Sequence, residues 1–473
     1  MKGKIVIDLE PENKENHSVV NFGKAGWGII FYCMAMFWFY VGFVNDGSNI
    51  TAPAIAERLG VLSGTVLNCN SIAGVVGVLL FVLVGQLNRK WGARKTSAVC
   101  MVVAAACYIV IGNAPNLAVY TIAMCFVAGG IMSAGYIAGG ALVAQWFPKK
   151  KGIIMGYTTM GHNLASAFYV PMITALVNQL GVRMAVVIPA VAVIVLAVLG
   201  ALFIRNTPRE RGMNPDNVSD DEYAADYADA QTDENDDGGW TTKKLLTNGS
   251  LWLTAITTGF FQICSVGVMS QLVVRNQQLG FSQAHAVAIM TVLACIGVFG
   301  SFIIGMFDDK FGTKRTMIFF GVWYIVALLC NVSETTFGVY ISIFMIGMAI
   351  GGSANFTTSL PTSVFGRQGF SKVNSVLFPI QGLFTSLCFA VNGIVLNITG
   401  SLRYAYVVFA CVAGVNIILV ALINEHKYNQ DFKKEQEVRA RTEAKIREIE
   451  RRVREELEKE EREKGSSANA EIS

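Results

Sequence analysis

The sequence predicts an all-α membrane protein: twelve transmembrane helices in two six-helix pseudo-symmetric halves, followed by a charged C-terminal helix. Three observations predict it. Twelve apolar runs are each long enough to cross a bilayer, basic residues crowd the alternate connections between them, and one loop pattern recurs half a chain later. Of the 473 residues, 53% are apolar and 15% charged, where an ordinary soluble domain carries about 25% charged. Mean hydropathy is +0.47. So little polar surface cannot cover a soluble core of this size, which excludes a cytosolic enzyme and a secreted disulfide scaffold.

A spanning helix needs about 20 mostly apolar residues. The runs cover 25–46, 64–87, 96–112, 117–145, 153–179 and 182–204, then 250–273, 284–307, 316–333, 337–366, 374–398 and 402–423. Residues 1–24 form an N-terminal segment; Asp8, Glu10, Glu12 and Glu15 argue against a secretory leader. Residues 25–204 and 250–423 are the two halves. Between them 205–249 carries eleven acidic residues and reads as a disordered linker.

With the N-terminus cytoplasmic, the cytoplasmic segments before the tail hold 21 Lys and Arg and the external ones 4. That bias places both termini inside and supports an even number of spans. The tail, 424–473, holds the remaining 13 basic residues. It reads as a solvated helix with pairs such as Glu443 with Arg447. Its thin apolar stripe leaves a protein partner, self-association or a membrane surface open. The ten cysteines contain no CxxC pair and read as packing residues.

The repeat is GQLNRKWGARK at 85–95 and GMFDDKFGTKR at 305–315. Gly85 answers Gly305, Lys90 answers Lys310, Gly92 answers Gly312, Arg94 answers Lys314 and Lys95 answers Arg315. Parallel six-span repeats build one large transporter fold.

On these residues the chain resembles the major facilitator superfamily over roughly 20–425. The superfamily's loop motif, G-x-x-x-D-R/K-x-G-x-R/K-R/K, fits the second copy with Asp309 and Lys310. The first copy has Arg89 where the acid belongs. The resemblance implies a cytoplasmic latch in which the acid caps a neighbouring helix and basic residues pair across the seam. Arg89 leaves the first half without that acid. WFPKKKGIIMGYTTMG at 146–161 and LGFSQAHA at 279–286 are similar to the monocarboxylate and oxalate–formate exchanger branch. Members of the oxalate type have an Arg on helix 8 and a Lys on helix 11 that attract carboxylates. Ser301 and Gln381 stand in those places here. That disfavours a small dianion and favours a larger monoanion or a neutral polar solute.

Ionisable residues at membrane depth are costly and therefore functional suspects. His162 lies about 13 Å into helix 5 at 1.5 Å per residue. It reads as a solute contact, a coupling group or a packed neutral imidazole, with Asn163 beside it. Asp46 ends helix 1 and is the other coupling candidate. Arg275, at the outer end of helix 7, either draws anions into the cavity or marks the water boundary. Tyr136, Gln262, Asn355 and Gln381 fall mid-span, where such folds bind solute, or where amides join helices. Helix 1 is crowded with Phe31, Tyr32, Phe37, Trp38, Phe39 and Tyr40, of which one or two suit a cavity wall.

No phosphate loop, nucleophile elbow, paired catalytic carboxylates or metal cluster occurs. No enzyme, cofactor, metal or nucleic-acid partner is expected. The expected activity is secondary transport of a small organic anion, a monocarboxylate, across the cytoplasmic membrane as proton symport or anion exchange, by a monomer. Efflux of amphipathic compounds is the alternative, although helix 5 lacks the GxxxGPxxGG pattern of drug–proton antiporters. A non-transporting sensor that uses its tail is the second alternative.

Overall fold

The computed structural model describes residues 22–226, 239–366, 369–429 and Arg451. The N-terminal segment before Phe22 and nearly all of the charged tail, including Glu443 and Arg447, lie outside the described residues. Among these residues there is no strand, and all twelve expected spans are helical. They are α1 (Gly23–Asn45), then Ser63–Asn113, which Gly92 divides into α2 and α3. Next come α4 (Leu117–Trp146), α5 (Ile153–Ala185, broken at Gly181) and α6 (Val187–Phe203). The second half has α7 (Gly249–Met269), α8 (Gln283–Phe311), α9 (Thr313–Val332), α10 (Thr336–Phe365), α11 (Phe370–Thr399) and α12 (Arg403–Ala421).

Apolar runs become helices because a bilayer offers the backbone no other hydrogen-bond partner. Their starts carry side-chain caps: Asn116 accepts from Val119 N–H at 3.0 Å before α4, and Ser282 from His285 N–H at 3.3 Å before α8. Gly92 and Gly312, the invariant pair of the repeated loop, turn the chain with φ of 76° and 84°. Only glycine adopts that region without strain. Large apolar residues such as Phe299, Phe302 and Ile398 remain exposed on the outer surface, as a lipid-facing belt requires.

Within each half, buried polar groups tie helices together. Tyr108 and Tyr169 share a hydroxyl bond of 2.8 Å, and Tyr120 donates to Asn70 at 2.6 Å. In the second half Asn416 donates to Thr257 O at 2.9 Å and Asn392 to Gly267 O at 2.7 Å. Such bonds substitute for the hydrophobic drive that lipid removes.

The halves meet mainly where α2 packs on α11 and α5 on α8. Several hydrogen bonds join the halves at the end away from the repeated loops. Asn397 donates to Thr65 at 3.2 Å, Asn178 to Gln283 at 3.0 Å and Thr291 to Ala167 O at 3.3 Å. Asn49 forms a two-way clasp: it donates to Met269 O at 2.7 Å and accepts from Val273 N–H at 2.8 Å. Ser48 adds a bond to Ser270 O at 3.1 Å.

Two expectations are corrected. The segment after α6 is not disordered through 205–226. It forms turns at Pro208–Arg211 and Pro215–Asn217 and a short helix, Asp220–Asp226, and Asp216 is buried. Residues 239–249 include the helix Thr242–Leu246. The other correction concerns the repeated loops. Arg89 and Asp309 both face solvent, while the half-buried position is one residue earlier, Asn88 and Asp308. The helix caps come from elsewhere: Asn206 accepts from Arg94 N–H at 2.9 Å at the start of α3, and Glu425 from Lys314 N–H at 3.3 Å at the start of α9. These caps are 219 residues apart, so they repeat with the fold.

Candidate functional site

Five rings from four helices meet at the seam. Tyr136 of α4 lies 4.9 Å from Phe37 and 5.6 Å from Tyr40 of α1, 6.2 Å from His162 of α5 and 6.1 Å from Phe378 of α11, measured between ring centroids. His162 packs edge-on to Phe37 at 4.9 Å and lies 6.1 Å from Tyr40. The His162 Nε2 atom is buried without a hydrogen-bond partner. Gln381, three residues after Phe378 and so close to its helix face, is 5% exposed, and its Oε1 also lacks a partner. A buried polar atom left unpaired is costly, and such atoms are where a ligand gains most.

The backbone is irregular beside these rings. Each of the three first-half helices is interrupted by a π-helical turn beside its contribution: Val41–Asn45 after Tyr40, Ala134–Gly139 around Tyr136, and Ala165–Tyr169 after His162. A π turn inserts one residue and re-aims the next side chains, and it recurs at functional sites.

Asp46 follows the first π turn and is 5% exposed. Its carboxylate accepts a hydrogen bond from Ser166, inside the third π turn. Asp46 therefore joins α1 to α5 three residues before the Asn49 clasp, outside the ring cluster. With a neutral amide able to keep that bond, Asp46→Asn is expected to hold uptake within about threefold of the parent, measured as initial rate in proteoliposomes.

Other predicted site residues are placed differently. Arg275 is 1% exposed but does not line the seam. It pairs with Glu334 at 3.0 Å, donates to Asn331 at 2.9 Å and lies over the Tyr406 ring at 5.7 Å. Its guanidinium is bonded inside the second half, apart from the ring cluster. Breaking a buried pair costs about 3–5 kcal/mol; Glu334 is 39% exposed, so Arg275→Leu is expected at or below about 3 kcal/mol. Thermal unfolding should show that loss while the KM of the surviving protein stays unchanged.

Gln262 donates to Ser353 O at 2.9 Å, joining α7 to α10. Asn355 donates to Ser301 O at 3.0 Å, joining α10 to α8, and the Ser301 hydroxyl bonds Gly297 O at 2.9 Å. These three residues hold helices. Asn163, next to His162, is half-buried. Gly85, Lys90, Lys95, Gly305, Lys310 and Arg315 lie in the repeated loops at the other end from the clasp.

Sequence reasoning missed Phe378, Ser166 and the clasp of Asn49. Ser166 had a signal: it lies four residues after His162, on the same helix face. Phe378 is followed by Pro379, which distorts a helix interior. Asn49 carried none.

No group of three or more His, Cys, Asp or Glu that could hold a metal occurs among the described residues. The arrangement can accept a small solute between two halves; it offers no nucleophile or acid–base pair for bond-breaking chemistry.

A profile of the Major Facilitator Superfamily matches residues 26–370 and 277–457. An uncharacterised transporter of that type from Escherichia coli, YhjX, is 20% identical over 342 residues, covering 70% of this chain and 77% of its own. The glycerol-3-phosphate transporter of Bacillus subtilis is 26% identical over 203 residues, 40% of this chain and 44% of that protein, so the match spans under half of that relative. Among solved structures, the D-xylose–proton symporter superposes with TM-score 0.63 at 11% identity, over 85% of this chain and 99% of that one. The nucleoside transporter NupG superposes with TM-score 0.60 at 14% identity, over 83% and 99%. The fold, the repeated loops and the profile together make this chain a multi-pass membrane transporter, not an enzyme, of the Major Facilitator Superfamily.

Proposed function

We propose that the chain carries a small organic monoanion, a monocarboxylate, by alternating access, with a proton co-transported on His162. The observation that carries the reading is the unpartnered imidazole among four aromatic rings at the seam. A carboxylate entering that apolar cluster needs a compensating charge. His162 is the one basic side chain near mid-depth of the described spans, and imidazole is the side chain that gains or loses its charge with the smallest change of surroundings, such as the arrival of a carboxylate. The loaded pair is neutral, so the halves can rock around it without carrying net charge through lipid. Tyr40 and Tyr136 supply hydroxyl donors, Phe37 and Phe378 flank the apolar body, and Gln381 Oε1 accepts a hydrogen bond.

The resemblance of WFPKKKG and LGFSQAHA to the monocarboxylate branch supports the class, and a relative named as a glycerol-3-phosphate transporter supports an organic anion in the broader sense. One cation suits one negative charge. The basic-residue bias supports cytoplasmic termini in the plasma membrane, with the repeated loops inside and the clasp of Asn49 outside. In that orientation the halves are joined at the outer end, as in an inward-open state of a monomer. The charged tail is left for a protein partner or self-association.

The test is a thermal-unfolding screen of purified protein against mono- and dicarboxylates, amino acids, nucleosides and lipophilic dyes. A ligand at 100 times its Kd raises stability by about 2.7 kcal/mol. Stabilisation by a monocarboxylate that vanishes in His162→Gln supports the reading. Stabilisation only by lipophilic dyes, unaffected by that change, replaces it with efflux, which the five rings would then serve.

A further inference from the structure

The seam carries a second unpartnered group, on the half opposite His162. Gln381 of α11 is 5% exposed, and its Oε1 atom is buried without a hydrogen-bond partner. The residues around it face the first half. The Phe378 ring lies 6.1 Å from that of Tyr136 on α4. A Cβ at Gly382 would meet Val78 of α2 at 3.0 Å and Met132 of α4 at 3.7 Å. Positions 378, 381 and 382 share one side of a helix, so Gln381 belongs to the surface that meets the first half. The offset of 219 residues that relates Asn206 to Glu425 also relates His162 to Gln381. The two unpartnered groups are therefore equivalent positions of the repeat, one on each wall of the seam.

Their chemistry is unequal. His162 can take up a proton, whereas the Gln381 carboxamide stays neutral. A solute held on both walls needs one charged end and one neutral polar end. Among the described residues no Asp or Glu belongs to the ring cluster, and Asp46 is bonded to Ser166. An ammonium at Gln381 would be desolvated without a counter-charge, and a second carboxylate would lack a cation in the same way. A hydroxyl both donates and accepts, so it satisfies the carboxamide in either orientation. The rings place that hydroxyl on the solute. Among the described residues His162 and Phe378 make no ring contact with each other. Each instead packs on Tyr136, at 6.2 and 6.1 Å. A hydroxyl on the carbon next to the carboxylate stays beside His162. One separated from it by several methylenes spans the Tyr136 ring.

We infer that Gln381 is a specificity-determining residue that reads a terminal hydroxyl, and that the solute class is the ω-hydroxy monocarboxylates. The inference rests on the monocarboxylate reading of the His162 site, and the test separates the two.

The purified full-length chain is titrated with straight-chain monocarboxylates from butanoate to octanoate, each beside its ω-hydroxy and 2-hydroxy forms. Thermal unfolding gives the apparent Kd. At the best-fitting length the ω-hydroxy acid is expected to bind about tenfold tighter than the unsubstituted acid, because it pairs a buried oxygen that otherwise stays unpaired. The 2-hydroxy acid should gain less than about twofold. In Gln381→Leu the affinity ratio of ω-hydroxy to unsubstituted acid should fall to about one. Gln381→Asn draws the carboxamide back by one methylene and should move the preferred ω-hydroxy acid to a longer chain. That variant carries the test if Gln381→Leu does not fold. No ω-hydroxy preference at any length, or a preference that survives Gln381→Leu, overturns the inference. Binding of the unsubstituted acids that is lost in His162→Gln then leaves the reading of the site standing. Failure of every acid to bind, or binding indifferent to His162→Gln, overturns that reading and the inference with it.

Discussion

Replacing His162 with glutamine is expected to abolish pH-driven uptake of the monocarboxylate while leaving the protein folded. The imidazole is the only cation that the ring cluster can offer, and truncating one partner of a buried charge pair costs about 2–5 kcal/mol. A loss of about 100-fold in kcat/KM lies inside that range, since about 1.4 kcal/mol is tenfold. Stability should change little, because Nε2 has no partner to lose. In the parent, uptake should rise as the pH on the side of entry falls, because protonation creates the cation that the carboxylate needs. In His162→Gln that slope should vanish. Proteoliposome uptake across a series of imposed pH gradients reads both quantities. A variant that keeps the parent's pH slope would remove His162 as the proton carrier and return Asp46 to that role.

Gly393→Val is expected to open the closed end of the seam. A Cβ at Gly393 would lie 2.4 Å from Gly64 O and 2.3 Å from Asn68 Oδ1, and one at Gly64 would lie 2.3 Å from Gly393 O. Two backbones touch here, so no side-chain rotation relieves the clash. Overpacking costs about 1–3 kcal/mol, which shifts a two-state equilibrium roughly 5- to 150-fold away from this conformation. The α2–α11 contact is the main joint between the halves, so the shift should favour separation at the clasp. Spin labels at Thr65→Cys and Asn397→Cys, whose parent side chains are 3.2 Å apart, should report a short distance in the parent background and a population about 10 Å longer with Gly393→Val. Transport should fall at least tenfold because the cycle needs both ends to close in turn. An unchanged distance distribution would mean that α2 and α11 move as one body and that the halves rock elsewhere.

The two expectations draw on different kinds of information. His162 stands out in the sequence because a titratable group mid-span is rare and costly wherever its helix points. The Gly64–Gly393 approach does not, because both glycines occur in apolar runs with many others and nothing local distinguishes a crossing from a lipid face. The same contrast runs through the molecule. Arg275 is as visible in the sequence as His162, yet it is spent on Glu334 and Asn331. Those partners arrive from α9 and the turn after it, more than fifty residues away. The loop repeat is visible as letters, but Asp309 points to water and Asp308 inward, because a helix turns about 100° per residue and a motif does not state which residue faces in.

Spans, their number and the two-fold repeat are therefore properties of the linear chain. A bilayer makes each helix satisfy its own backbone, so about 20 apolar residues suffice to define one wherever its neighbours lie. Basic residues in alternate connections add the expected topology in the same local way. Helix rotation and the partner of each polar side chain were decided only by the tertiary structure. Helices that are apolar nearly all round carry no stripe to show which side meets protein and which meets lipid. The π turns beside Tyr40, Tyr136 and His162 add a further change of helix phase that no regular period encodes.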